Sequence, residues 1–178
     1  NLKIKEGEKI AIIGGNGEGK TTLIHLILGI VLPVSGKIYM GKKDMTEVGL
    51  GNWREHFALV GQKTYLFQGT IKNNIDLYDD MTLAQVEKFA SECGLDMKTE
   101  SREGGYNYKI TDNGANLSGG EKQKIAFLRA IIKNAEIIIL DEAFSNCDEK
   151  SRKIIRQIVM DEKFNKTVIL VSHYKEDL

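Results

Sequence analysis

The chain is poor in the features that mark disulfide-rich, metal-stapled and nucleic-acid-binding proteins. Its 178 residues include one proline, one tryptophan and two cysteines. Cys93 and Cys147 have no metal-ligand spacing, which favours free thiols in a reducing compartment. Lys plus Arg and Asp plus Glu number 25 each, so no net charge attracts a nucleic-acid backbone or an acidic membrane surface.

Long hydrophobic runs are absent as well. The longest apolar stretch, residues 23–34, is broken by His25 and Pro33 and falls short of the roughly 20 residues that a spanning helix needs. We therefore expect no direct membrane insertion by this segment. The remaining composition, 42% apolar and 28% charged, is that of one globular domain. Strand-like residues at both ends, beginning with a half-exposed strand predicted at Asn1–Lys5, suggest a fragment of a longer chain.

A glycine-rich loop near the start of the chain fits the pattern G-x-x-x-x-G-K-[ST]. A buried strand is predicted before it at residues 9–13, and a helix after it at residues 21–30. Glycines let successive backbone amides turn inward on phosphate oxygens, while Lys20 reaches the β- and γ-phosphates and the Thr21 hydroxyl can bind Mg²⁺. The predicted ATP-binding residues are Gly14, Gly15, Asn16, Gly17, Glu18, Gly19, Lys20, Thr21 and Thr22.

Two carboxylates end a second buried strand, predicted within residues 136–142. Its apolar run has no alternation, which indicates burial on both faces as in a central parallel strand. Ligands bind at the carboxyl ends of such strands, so Asp141 can hold Mg²⁺ and Glu142 can orient and deprotonate a water. The alternative is a surface acid pair that caps the next helix. His173 ends a further buried strand and could contact the γ-phosphate or the water, although a structural histidine is also compatible.

Residues 117–123 predict a helix start with unusual composition. Ser118 is a plausible N-cap and Glu121 suits the first turn. Gly119 and Gly120 each cost roughly 1 kcal/mol in a helix, which makes sense if a bulky anion must approach the backbone closely. Because the chain already has one phosphate site, this second site would contact a nucleotide held by a neighbouring molecule.

The order of elements predicts an α/β fold. Short strands near residues 37–40 suggest an antiparallel flap, and a strand is predicted at residues 57–60. Residues 71–132 read as a helical region in which Thr82 caps a helix. We expect a single domain over residues 1–178, with residues 1–70 and 133–178 as its core and residues 71–132 as an inserted helical subdomain.

These motifs, in this order and spacing, resemble those of the ATP-binding cassette (ABC) ATPases. The resemblance implies a P-loop NTPase fold with a mostly parallel central sheet, an antiparallel β flap and an inserted α-helical subdomain. It implies that Gln62 contacts Mg²⁺ and the attacking water, that Asp141 is the Walker B aspartate, and that Glu142 is the catalytic glutamate. His173 and Asp148 would be the switch histidine and the D-loop aspartate. The signature residues that would contact the ATP of the opposite subunit are Leu117, Ser118, Gly119, Gly120 and Gln123.

Residues 65–75 resemble a run that follows Gln62 in exporter-type cassettes, where a transmembrane domain is usually fused ahead of the cassette. Tyr65, Leu66 and Phe67, if exposed, could receive a coupling helix; a buried aromatic cluster is the alternative. The chain departs from the family at residues 145–148, where Ser-Asn-Cys-Asp replaces Ser-Ala-Leu-Asp, and at residues 110–114. The family's adenine-stacking aromatic residue would lie upstream of Asn1.

The resemblance implies the nucleotide-binding domain of an exporter at the cytoplasmic face of the cell membrane. It would bind and hydrolyse ATP with Mg²⁺ through an ATP-sandwich homo- or heterodimer, without a nucleic-acid partner. Two alternatives stay open: a soluble cassette ATPase acting on DNA or ribosomes, and a nucleotide sensor without turnover. The exporter-like run and the balanced charge argue against the first, and intact Gln62, Glu142 and His173 argue against the second.

Overall fold

The computed structural model describes residues 1–97 and 103–173. Two short 3₁₀ turns lie at Gly105–Asn107 and Asp112–Gly114. The helices and strands, in chain order, are β1 (Lys9–Ile13), α1 (Lys20–Ile27), β2 (Tyr39–Met40), β3 (Lys43–Asp44), α2 (Met45–Val48), α3 (Leu50–Glu55), β4 (Phe57–Val60), β5 (Gly69–Thr70), α4 (Ile71–Ile75), α5 (Leu83–Glu92), β6 (Lys109–Ile110), α6 (Gly119–Ile132), β7 (Ile137–Asp141), α7 (Glu149–Met160) and β8 (Thr167–Ser172).

The contacts within the chain define two compact units. The first comprises Asn1–Leu59, Ala135–Glu142 and the described part of Asn165–Leu178; the second comprises Val60–Asn134 and Ala143–Phe164. The functional division expected from the sequence, with a helical subdomain at residues 71–132, stays a prediction.

A four-stranded sheet with the order β1-β8-β7-β4 runs through the first unit. Strand β8 pairs in parallel with β1 on one side and with β7 on the other. Ile13 lies opposite Ser172, and Asp141 lies opposite Val171, so three parallel strands end at the same edge. The segments that follow these strands, which carry the predicted phosphate loop, Glu142 and His173, therefore leave the sheet together.

Helix α1, which follows the phosphate loop, packs against an apolar core. The Trp53 side chain is 1% exposed, and its indole N–H donates to the Ile27 carbonyl across 2.7 Å, which ties α3 to the last turn of α1. A buried indole donates in this way because an unpaired N–H would be costly. The core residues are Ile24, Leu28, Met45, Trp53, Phe57, Ile139, Ile169 and Val171.

Three local predictions for the first unit need correction. Residues 1–5 form no strand, because Glu8 uses the Lys5 peptide groups in a turn: Lys5 N–H donates to Glu8 Oε2 across 2.7 Å. The strand expected at residues 37–40 is confined to Tyr39–Met40, which pairs antiparallel with β3 as a small flap. Helix α1 starts at Lys20 and ends at Ile27, earlier than expected, and Gly29 follows with a left-handed φ of 63°.

The second unit contains helices α4 to α7. Thr82 and Ser118 each cap a helix with a reciprocal capping box, as the sequence predicted for both caps. Asn74 is fully buried and bonds the chain ahead of α4 through both ends of its amide: Phe67 N–H donates to Oδ1, and Nδ2 donates to the Phe67 and Thr70 carbonyls. Within the described ranges, no helix combines the length and the apolar character needed to cross a bilayer.

Candidate functional site

The phosphate loop, defined here as residues 14–19, connects β1 directly to α1. Gly17 and Gly19 have φ values of 82° and 86°, a left-handed backbone that side chains rarely adopt. Gly19 is the N-cap of α1 and supplies no side-chain acceptor, so the amides of the first turn stay available to an external anion. The loop therefore has the conformation and the donors that a phosphate group requires.

The Lys20 ammonium group spans this loop. It donates to the Gly14 carbonyl across 2.6 Å and to the Gly15 carbonyl across 2.8 Å. Its third neighbour is His173 Nδ1, at 3.2 Å. A cation held by two backbone carbonyls and a ring nitrogen at the mouth of an amide-lined loop is suited to meet an incoming phosphate.

Glu142 and His173 form a second pair at the same sheet edge. His173 Nε2 contacts Glu142 Oε1, and His173 Nδ1 lies 3.0 Å from the Gly14 carbonyl oxygen. A carboxylate oxygen only accepts, so Nε2 carries the proton in this contact. In that tautomer Nδ1 accepts from the Lys20 ammonium group, so His173 links the carboxylate to Lys20 beside the Gly14 carbonyl, which makes a purely structural histidine the weaker interpretation.

The backbone at Glu142 is strained. Its φ is 49°, although it is not a glycine, and its N–H donates to the Val171 carbonyl across 2.9 Å. A left-handed non-glycine residue costs about 1–3 kcal/mol and persists when its surroundings hold it in place. Here the hydrogen bond to β8 does so and turns the side chain off the path of β7 toward His173. This geometry does not match the alternative of an acid pair that caps the next helix, since Asp148 caps α7.

Asp141, the last residue of β7, lies in an acidic and partly buried position. Burial raises the pKa of its carboxyl group, the Glu142 charge raises it further, and Lys20, His25 and His173 oppose the shift. The ionised carboxylate is therefore energetically disfavoured without a nearby positive charge, as is common for a carboxylate that binds a metal ion.

The donor set around the loop fits Mg²⁺. No group of three or more Asp, Glu, His or Cys side chains is gathered for a metal in the described ranges. Magnesium does not need such a cage, because it is commonly held by one or two protein oxygens, the substrate phosphates and water. Asp141 and the exposed Thr21, in the first turn of α1, offer oxygen ligands of this kind.

The other predicted site residues belong to the second unit. Gln62 lies just after β4 and is exposed. Asp148 is the N-cap of α7: it accepts from Ser151 N–H across 2.9 Å and from the Ser151 hydroxyl across 2.7 Å, and these bonds lower its pKa. Leu117 is buried, and Gln123 is buried with Oε1 accepting from the Thr64 hydroxyl across 3.2 Å. These contacts give Asp148 and Gln123 structural roles inside their own unit.

The signature glycines have a second reason to be small. A Cβ atom on Gly119 would lie 3.3 Å from Asn146 Cβ, and one on Gly120 would lie 3.3 Å from the Asn146 carbonyl oxygen. The close approach of an anion is therefore not the only reason for glycine at these positions. Asn146 departs from the family pattern, but its contact with α6 depends on tertiary packing that no local pattern reveals.

The segment after Gln62 is only partly exposed. Of the two alternatives, an exposed surface and a buried cluster, the exposed one is wrong for Leu66, which is 1% exposed and packs close to Gly114. Tyr65 and Phe67 are 62% and 50% exposed, and their rings meet edge to face at 5.3 Å. The Arg129 guanidinium lies 5.7 Å from the centre of the Phe67 ring. The strand-like alternation of this segment thus turns its middle residue inward and the two aromatic residues outward.

Comparisons with known proteins identify the family to which the chain is similar. The family model described as "ABC transporter" matches residues 1–145. The chain is 40% identical over 179 residues to ABC transporter B family member 29, chloroplastic, of Arabidopsis thaliana, covering 99% of the chain and 28% of that protein. It is 36% identical over 174 residues to an ATP-dependent lipid A-core flippase of Neisseria meningitidis, covering 97% of the chain and 28% of the flippase.

A solved structure is similar as well. A bacterial Atm1-family ABC exporter with ATP bound superposes with a TM-score of 0.84 at 28% sequence identity, over 96% of this chain and 30% of that one. The chain thus spans less than a third of the length of these relatives. The predicted fold class is confirmed by this likeness and by the parallel sheet with its antiparallel flap. The chain belongs to the ABC transporter family, and it corresponds to the nucleotide-binding domain of the family's exporters.

Proposed function

We propose that this chain binds ATP with Mg²⁺ and hydrolyses it to drive export through a membrane protein of which it forms the nucleotide-binding domain. The observation that carries the proposal is the network at one sheet edge. Glu142 contacts His173, His173 contacts Lys20, and Lys20 donates to the Gly14 carbonyl. Asp141 is close enough to interact electrostatically with all three side chains. A cation, two acids and an amide-lined loop are the groups that phosphoryl transfer requires.

Binding begins with the phosphates. The amides of residues 15–20 are proposed to bind the phosphate oxygens, and the Lys20 ammonium group would exchange the Gly14 and Gly15 carbonyls for oxygens of the β- and γ-phosphates. Thr21, Asp141 and Gln62 are the residues proposed to hold Mg²⁺. When bound, the ion neutralises charge on the β- and γ-phosphate oxygens. Asn16, Gly17, Glu18, Gly19 and Thr22 complete the proposed loop site.

Hydrolysis is then assigned to the Glu142–His173 pair. Water attacks the γ-phosphorus, its proton passes to the Glu142 carboxylate, and the bond from the γ-phosphorus to the β,γ-bridging oxygen breaks to release ADP and phosphate. His173 orients the carboxylate through its Nε2–H, while its Nδ1 accepts from the Lys20 ammonium group. Gln62 is proposed to contact the same water.

The proposed working unit is a dimer. Ser118, Gly119 and Gly120 at the start of α6, supported by Leu117 and Gln123, would contact the ATP of a second nucleotide-binding domain, which leaves homo- and heterodimers open. Asp148 would lie in the loop that meets that second domain. The exposed Tyr65 and Phe67 are proposed to receive a transmembrane partner at the cytoplasmic face of the membrane. The exporter named among the structural relatives supports this assignment.

Two variants test the proposal. Glu142→Gln keeps the side-chain shape but removes the proton acceptor, so ATP should bind and accumulate, and the protein should elute as a dimer in size exclusion under saturating Mg-ATP. Lys20→Ala should lose ATP binding by calorimetry. A Glu142→Gln protein that stays monomeric would contradict the sandwich dimer, and unchanged affinity in Lys20→Ala would contradict the phosphate site.

A further inference from the structure

Glu18, the one acidic residue of the phosphate loop, folds its carboxylate back onto the loop itself. Gly15 N–H donates to Glu18 Oε2 across 2.8 Å. The contact lies directly against the backbone, since a Cβ atom placed on Gly14 would overlap Glu18 Oε2 and one on Gly15 would lie 3.5 Å from Oε1. The carboxylate therefore occupies the space that the absence of side chains at these two glycines creates.

Gly15 is held by Glu18 and Lys20 together. Its N–H is taken by the Glu18 carboxylate, and its carbonyl oxygen accepts from Lys20 Nζ at 2.8 Å and from the Glu18 N–H at 3.4 Å. The N–H and the carbonyl oxygen of Gly15 are thus both hydrogen-bonded, by Glu18 and by Lys20 at the start of α1. In the ligand-free chain, the Glu18 carboxylate therefore occupies a loop amide, and the Lys20 ammonium group occupies two loop carbonyls.

We propose that Glu18 sets the nucleotide affinity of the loop by acting as an internal competitor for its amides. Carboxylate and phosphate oxygens are both anionic acceptors of backbone N–H groups, and Gly15 N–H cannot serve both at full strength. A triphosphate has to displace the Glu18 carboxylate before the loop is competent. The measured dissociation constant is then the intrinsic constant divided by the fraction of molecules in which Glu18 has left.

This inference rests on the proposed function, because it assumes that the loop binds phosphate, but it makes a separate statement about the ligand-free chain. If about one tenth of the loops are open, removing the carboxylate tightens binding about tenfold. Glu18→Gln has the same length and keeps a carbonyl acceptor without the charge, so it should give a smaller gain of about threefold, since a neutral acceptor bonds the amide less strongly.

The experiment compares Glu18→Ala, Glu18→Gln and a control, Glu6→Gln, in the intact chain. Glu6 is exposed ahead of β1, and its substitution changes the net charge by the same amount as Glu18→Gln. Affinities for ATP and for inorganic tripolyphosphate are measured by calorimetry, and the Gly15 amide resonance of the ligand-free protein is recorded by NMR. We expect Glu18→Ala to bind both probes about tenfold more tightly and to shift the Gly15 amide, with Glu18→Gln between it and the wild type and Glu6→Gln unchanged.

The possible outcomes distinguish direct competition by Glu18 from long-range charge repulsion and from a contact that does not form. Equal gains in Glu18→Ala and Glu18→Gln would show that long-range repulsion explains the effect, and an unshifted Gly15 amide would show that the contact does not form; either result overturns the inference. A third outcome is that Lys20→Ala abolishes ATP binding while Glu18→Ala binds ATP as the wild type does. That result would refute the competition by Glu18 and leave the proposed phosphate site intact. If neither the wild type nor Glu18→Ala binds ATP or tripolyphosphate, the proposed function and this inference both fail.

Discussion

Replacing Arg129 tests how the surface proposed for the transmembrane partner is supported from within the second unit. Its guanidinium donates to the Asn74 carbonyl across 2.7 Å, to the Tyr65 carbonyl across 3.0 Å and to Asn74 Oδ1 across 3.1 Å, and it lies over the Phe67 ring. Burial partly desolvates this cation and thereby lowers its pKa. Arg129 therefore ties α6 to the segment that presents both exposed aromatic residues.

The size of the effect follows from these contacts. Each hydrogen bond from a charged group contributes about 1.5–3 kcal/mol net, but the three share one side chain and do not add fully. We expect Arg129→Met to lower the free energy of unfolding by about 3 kcal/mol, because the buried Asn74 carbonyl and Oδ1 both lose the hydrogen bond that Arg129 donates. Arg129→Lys keeps the charge without the planar fork and should lose about half as much.

Urea and thermal unfolding measure these changes. A loss of 3 kcal/mol corresponds to a fall in melting temperature of roughly 6–12 °C for a chain of this size. Lys88→Met on α5 is the control, since Lys88 is exposed and its pairing with Glu92 is worth about 0.5 kcal/mol at most. If Arg129→Met stayed within about 1 kcal/mol of the wild type, Arg129 would not be the tie between α6 and the aromatic segment, and our reasoning about that surface would be wrong.

Three further predictions concern the site. Because burial and Glu142 raise the pKa of Asp141, its folded state holds a proton to higher pH than the unfolded chain, so this group lowers stability as pH rises above its ordinary value of 3.8. Asp141→Asn should therefore raise the melting temperature of the ligand-free protein at pH 7.5 while weakening Mg-ATP binding, and the gain should shrink toward pH 4; a lower melting temperature at pH 7.5 would contradict this. Gly119→Ala should destabilise the wild type more than an Asn146→Gly background, with a coupling of about 1 kcal/mol in a urea double-mutant cycle, and zero coupling would remove the contact as a reason for the glycine. Burial raises the pKa of Cys147 to about 11, so its modification by a thiol reagent at pH 8 should be far slower than that of a free cysteine; an equal rate would refute it.

Local patterns predicted the parts of the site that local chemistry determines. The glycine and lysine spacing of the loop, the unbroken apolar run of β7 and the N-caps Thr82 and Ser118 all have the expected structure. Each of these features depends on residues within a few positions of one another in the sequence. Capping and turn residues determine the loop and the helix starts, and burial on both faces determines the strand.

Tertiary contacts account for what the sequence could not provide. Alternation alone predicted a strand at residues 1–5, but the turn to Glu8 consumes the Lys5 peptide groups. The burial of Leu66 depends on Gly114, and the left-handed backbone of Glu142 depends on the hydrogen bond that its N–H donates to the Val171 carbonyl of β8. None of these partners is visible from the residue's own neighbourhood in the sequence. The Glu18 contact is local, yet the glycine-rich motif gives no signal that a variable position folds back onto the loop.

The rate of phosphate release under saturating Mg-ATP, measured on the intact protein and its Glu142→Gln variant, decides whether the Glu142–His173 pair hydrolyses ATP. We expect steady turnover by the wild type, and a rate at least about 100-fold lower in Glu142→Gln with ATP binding retained, as expected for loss of a general base. Phosphate release by Glu142→Gln at the wild-type rate would contradict the role assigned to Glu142 and its pairing with His173.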